Sequence, residues 1–120
     1  MERGKQQVPL TPSHFSLSLF PGIPDARALQ AGDILNIDVT VYLDGHHGDT
    51  SRMFFVGGRG AAGADAARLV DTTKEALAAA VALVRPGLPV RAIGDAIQAI
   101  ADQEGLGIVR EFVGHGVGRV

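Results

Sequence analysis

Three residues have the types and the setting for metal chemistry: Asp38, Asp49 and His115. The two carboxylates sit in the stretch DILNIDVTVYLDGHHGDTSRMFFV, residues 33–56, which reads as two strands joined by a tight turn at Asp44-Gly45. If those two residues make the whole turn, Leu43 pairs with His46, Asp38 faces Ser51 and Asp49 faces Thr40. The carboxylates are then diagonal neighbours on one face. A slip by one residue pair sets them directly opposite, with Cβ atoms roughly 5 Å apart, still on that face. Proteins avoid like charges as cross-strand neighbours, so either arrangement asks for a cation, and a hard divalent ion with oxygen ligands suits it. The bland alternative is a pair of solvated aspartates on an exposed sheet face. His115, framed by Gly114 and Gly116 after an apolar run, offers an imidazole nitrogen as a third donor. Without the aspartates, a lone histidine in that setting is a structural residue.

The elements that must position these groups follow from periodicity. Ile34–Leu43 alternates, with Leu35, Ile37, Val39, Val41 and Leu43 on one face and Asn36, Asp38, Thr40 and Tyr42 on the other. The return strand covers residues 48–56. Residues 57–63 form a flexible glycine-rich linker that lacks the lysine and hydroxyl of a phosphate cradle. Apolar residues then recur at helical spacing over 64–84, namely Ala67, Val70, Ala76, Leu77, Ala80, Val81 and Val84, with Asp65 in the first turn and Pro86-Gly87 as the stop. A second helix spans 90–105, with Ile93, Ala96, Ile97 and Ile100 as its apolar stripe and Gly105 as its cap. Residues 107–113 read as a third strand that delivers His115 at its carboxyl end. His46 and His47 are partly exposed turn residues, and Asp71, Glu75, Asp95, Asp102 and Glu104 are solvated helix faces.

The chain's 120 residues, 46% of them apolar, suffice for one small domain. A net charge of −2 with scattered basic residues gives no patch for nucleic acid or an anionic membrane. Cysteine is absent, which excludes disulfides and thiolate metal sites. The longest apolar run, residues 76–84, falls far short of the roughly 18 that a membrane span needs, so a soluble protein is expected. Residues 1–20 read either as a transit peptide, from their serines and early Arg and Lys, or as a short strand around Leu17 and Leu19; His14 is a surface histidine.

Three stretches together resemble the methionine aminopeptidases of the pita-bread metallopeptidase family. They are Gly22-Ile23-Pro24-Asp25, then GDILNIDVT at 32–40 with Gly48-Asp49-Thr50-Ser51, then FVGHGVG at 112–118. The resemblance runs from residue 22 to Val120, which leaves 1–21 as a poorly matched segment ahead of a partial catalytic domain at 22–120. It implies an α+β pita-bread fold, present incompletely as a β-hairpin, two helices and a third strand. It also implies Asp38, Asp49 and His115 as metal ligands, with Asp49 bridging the two divalent ions of a complete site; cobalt, manganese, iron and zinc all suit such ligands. The implied reaction is two-metal peptide hydrolysis that removes the initiator methionine from nascent polypeptides, with the ribosome's vicinity as one meeting place. The implied location is the cytoplasm, with mitochondrion or plastid as alternatives. No nucleic-acid or membrane partner is expected, and nothing indicates an oligomeric state.

Two departures qualify this expectation. The family carries a substrate-contacting histidine immediately before Gly-Ile-Pro, where this chain has Pro21, whose side chain has no donor. The family's remaining two glutamate ligands and a second histidine lie downstream of His115, and Glu104 and Glu111, which precede it, already have structural explanations. The expectation is therefore the amino-terminal half of an enzyme, marginally stable alone because a sheet edge and an apolar face lie open. The alternatives are another pita-bread hydrolase, such as a proline-directed aminopeptidase or a creatine-type hydrolase, and a non-catalytic module or inactive remnant that binds metal weakly. A plain α+β domain with no site is disfavoured by the three ordered motifs.

Overall fold

A computed structural model describes residues 5–7 and 26–118. The readings of His14, of Pro21 and of the segment around Leu17 and Leu19 lie outside those residues. The centre of the fold is the hairpin: strands β2 (Ile34–Leu43) and β3 (His46–Phe55) pair antiparallel from Leu43 opposite His46 to Ile34 opposite Phe55. The turn fixes this register. Asp44 has φ 50° and Gly45 φ 78°, and two positive φ values match a two-residue turn to the right-handed twist of the strands. Strand β1 (Lys5–Gln7), which the sequence pattern did not announce, pairs antiparallel with β2 and completes a sheet of order β1-β2-β3.

The open end of the hairpin is tied to the preceding loop. Gly32 N donates to the Val56 carbonyl at 3.0 Å and Val56 N to the Asp33 carbonyl at 2.9 Å. The Asp33 carboxylate accepts from Gln30 N at 2.9 Å and from the Arg27 guanidinium at 3.0 Å. Gly57, with φ 78°, lets the chain pass Ala31: a Cβ at position 57 would lie 2.9 Å from that of Ala31.

Helices α1 (Ala64–Leu83) and α2 (Arg91–Gln103) occupy the expected stretches and pack against each other. Ala67, Val70, Ala76 and Ala80 are buried as their spacing implies, and Thr72 joins them. Leu77, Val81 and Val84, expected on the same stripe, are 58–63% exposed, because the second half of α1 turns that side to solvent. Helix α2 ends in a Schellman motif: Gly105 has φ 64°, its N–H donates to Asp102 O at 3.2 Å, and Leu106 N donates to Ala101 O at 2.8 Å.

Residues 107–113 are not a strand. They run as irregular chain with a turn at Arg110-Glu111. A strand needs a free edge to pair with, and this segment is held by the helices instead. Leu106, Gly107 and Ile108 line a small apolar crevice with Thr72, Ala76, Ile97 and Ala101, and Arg110 donates to Gln98 Oε1 at 3.1 Å.

The core joins both layers. Ile34, Ala66 and Val70 are buried together, with Met53, Phe55 and Ala62 packed around them. Ile34, Met53 and Phe55 share the Asp38 face of the hairpin, so the helices meet the sheet on that face at its open end. On the opposite face Leu35 is buried, whereas Ile37, Val39, Val41 and Leu43 become progressively more exposed towards the turn, from 36% to 70%. Among the described residues no helix is long and apolar enough to cross a membrane.

Candidate metal centre

The hairpin register brings four polar residues onto one face: Asp38 lies opposite Ser51, and Thr40 lies opposite Asp49. The carboxylates are diagonal neighbours, as the two-residue turn requires, and the slipped register does not occur. Farther up the same face His47 lies opposite Tyr42, their ring centroids 4.8 Å apart, and His46 Nδ1 is 2.9 Å from the Asp44 carbonyl. Both turn histidines therefore have local partners at the hairpin tip.

His115 arrives from the other end of the chain. After the Schellman turn, residues 106–113 lead back from the helices and place its ring over β3, with Nε2 3.6 Å from Oδ2 of Asp49. Its Nδ1 is 3.0 Å from the Gly116 carbonyl. A carbonyl only accepts, so this contact places a proton on Nδ1 and turns Nε2, which carries a lone pair when the ring is neutral, towards a carboxylate oxygen. Two lone pairs at that separation repel unless a proton or a cation lies between them. Two donors about 2.1 Å from one ion, at a tetrahedral angle, are about 3.4 Å apart, so the spacing suits a shared ion. The donor set, two hard carboxylates and one imidazole, also fits a divalent cation.

The structure thus brings two of the three candidate ligands, Asp49 and His115, to 3.6 Å and places Asp38 as the diagonal neighbour of Asp49. Among the described residues no group of three acidic or histidine side chains is drawn tightly enough to hold an ion as it stands. Glu104 lies elsewhere, 3.7 Å from Arg68 on the helices. A polar groove of about 480 Å³ is lined by Arg59, Arg68, Asp71 and Glu104 among others, and none of the three candidate ligands borders it.

Two polar features of the hairpin were not singled out from the sequence. Asn36, on the Asp38 face, has a buried Oδ1 with no hydrogen-bond partner. Its alternation with Asp38 and Thr40 was visible, but its burial depends on packing across the sheet. Asp33 is the other: the backbone N–H of Gln30 chiefly holds its carboxyl below the usual value, desolvation opposes it, and the Arg27 guanidinium adds a lesser lowering.

The profile of metallopeptidase family M24 matches residues 15–120 of this chain. The chain belongs to metallopeptidase family M24. It is 52% identical over 99 residues to methionine aminopeptidase 1D, chloroplastic/mitochondrial, of Arabidopsis thaliana, covering 82% of this chain and 27% of that protein. The methionine aminopeptidase of Escherichia coli K12 is likewise 52% identical over 99 residues, covering 82% of this chain and 36% of that protein. Among solved structures, the methionine aminopeptidase of Rickettsia prowazekii superposes with a TM-score of 0.75 at 46% identity, over 83% of this chain and 39% of that one. The hairpin and helix pair of this M24 chain are accordingly elements of the pita-bread α+β fold, and a metallopeptidase family implies divalent metal ions. The chain spans about a third or less of the length of the curated relatives it matches, between 26% and 36% of them.

Proposed function

We infer that this chain contributes to a metallo-aminopeptidase that removes the amino-terminal methionine of polypeptides, with Asp38, Asp49 and His115 as metal ligands and residues 22–120 as part of its catalytic domain. The observation that carries the reading is the approach of His115 Nε2 to Asp49 Oδ2 at 3.6 Å, across 66 positions of sequence. Two Lewis bases face each other there beside a second carboxylate.

When bound, divalent ions supply Lewis acidity and activate water for peptide hydrolysis. The residues of this chain do the holding. Asp38 and Asp49 provide charge that offsets a cation, and the Gly116 carbonyl fixes the ring of His115 with Nε2 outward. The His115 side chain is 68% exposed and the glycines around it leave open space, so a peptide terminus has access to this face. Two ions per complete site, drawn from cobalt, manganese, iron or zinc, agree with the donor chemistry, which selects none of them. Nascent chains are the fitting substrates. The relatives' names span a bacterial enzyme and a chloroplastic/mitochondrial one, so cytoplasm and organelle both suit this protein.

Pro21 favours a second reading, a metal-binding member of the family without peptidase activity, because it cannot donate to a substrate. Cobalt(II) titration of the purified protein, followed by its visible absorption, and release of free methionine from a methionyl tripeptide separate the two. The expected result is cobalt binding that is lost in Asp49→Asn and His115→Ala, with methionine released by the natural gene product. Binding without release supports the second reading, and absence of binding removes both.

A further inference from the structure

We propose that Thr40 and Ser51 are positioning residues for the two carboxylates, each hydroxyl donating to the aspartate that faces it across the ladder. The inference rests on the metal-ligand reading above and extends it to residues that touch no ion. Its basis is the register: Asp38 is paired with Ser51 and Asp49 with Thr40, so acid and hydroxyl alternate around a four-residue square on one face. The nearest cross-strand neighbour of each carboxylate is therefore a hydroxyl and not the other carboxylate. Directly opposite Cβ atoms lie roughly 5 Å apart. A hydroxyl and a carboxylate extending from them come within hydrogen-bonding reach by side-chain rotation alone.

The need for such donors follows from the charge. A carboxylate oxygen that binds a cation keeps a further lone pair, and on an open face the group is otherwise free to rotate. A hydroxyl donor opposite occupies that lone pair and fixes the plane of the carboxylate. Among the described residues of this face, Asn36 has its Oδ1 buried, and the next pair up the ladder is Tyr42 with His47, their rings tilted against each other.

The test uses the 120-residue protein and cobalt(II) alone. Thr40→Val and Ser51→Ala remove each hydroxyl, and Thr40→Ser and Ser51→Thr keep it. The readouts are cobalt affinity and the position and intensity of the visible cobalt bands, with far-ultraviolet circular dichroism as the control for folding. Thr40→Val raises strand propensity, so loss of the strand does not account for a loss of binding there. The expected result is a loss of about 10-fold or more in affinity and altered bands for Thr40→Val and Ser51→Ala, with both restored in the conservative variants. Wild-type affinity and bands in both hydroxyl-free variants overturn the inference while leaving the metal site intact. Absence of cobalt binding in the wild-type protein overturns the metal reading and this inference together.

Discussion

His115 Nε2 stands 3.6 Å from Asp49 Oδ2, while the other ring nitrogen is committed to the Gly116 carbonyl. Because these two side chains belong to segments joined only through the helix pair, their meeting is a product of the tertiary fold. His115→Ala is expected to weaken divalent-metal affinity by about 100-fold, the loss of one of a few donors. Substituting His46 or His47 by Ala is expected to change it less than about 2-fold, since both have partners at the hairpin tip. Isothermal titration with cobalt or zinc reads both outcomes.

Gly57 carries two separable demands, a φ of 78° and the 2.9 Å approach of a notional Cβ to that of Ala31. Gly57→Ala is expected to destabilise the protein by about 1–3 kcal/mol, from backbone conformation and overpacking together. Adding Ala31→Gly is expected to recover the packing part only. Urea denaturation of the single and double variants measures the split.

Asp33 makes stability depend on pH. Its folded pKa lies below the ordinary carboxylate value, chiefly through the Gln30 N–H and then through Arg27. The carboxylate's contribution is thus fully present above the unfolded pKa, about 3.9, and is lost as pH falls through the lower folded value. Asp33→Asn is expected to flatten that acid limb of the stability profile. A wild-type limb that survives the substitution unchanged assigns it to other carboxylates.

The exposed stripe of Ile37, Val39, Val41 and Leu43, with Phe54 beside it at 42% exposure, is an association hazard for the chain alone. Val39→Lys together with Val41→Lys is expected to lower self-association measured by sedimentation velocity. Because both positions are already open to solvent, stability should shift by less than about 1 kcal/mol.

Much of the hairpin was legible because its determinants are local. Alternation named the two faces, and Asp44-Gly45 named the turn, so the pairing of Asp38 with Ser51 followed before any packing was known. The helices were legible from spacing and from Pro86-Gly87. What spacing does not carry is the identity of a partner. Residues 107–113 have a strand's composition, but the crevice between α1 and α2 takes Leu106 and Ile108 instead. Leu77, Val81 and Val84 have a core stripe's period, yet they face solvent. The buried Oδ1 of Asn36 is hidden from sequence for the same reason. Of the candidate site, the aspartates' shared face was readable from parity, whereas the arrival of His115 beside Asp49 rested on resemblance.

The turn at Asp44-Gly45, with both residues at positive φ, sets the parity of everything that follows it on β3. Position along a strand works as a two-beat rhythm, and Asp49 falls on the beat it shares with Asp38 only while an odd-for-odd count is kept from the tip. One residue added to the turn between Gly45 and His46, absorbed without a bulge, sends Asp49 to the apolar side and brings Gly48 into its place. The site is thereby vulnerable to a change of length at a loop that touches none of its atoms, and more so than to most changes of residue type in the same loop.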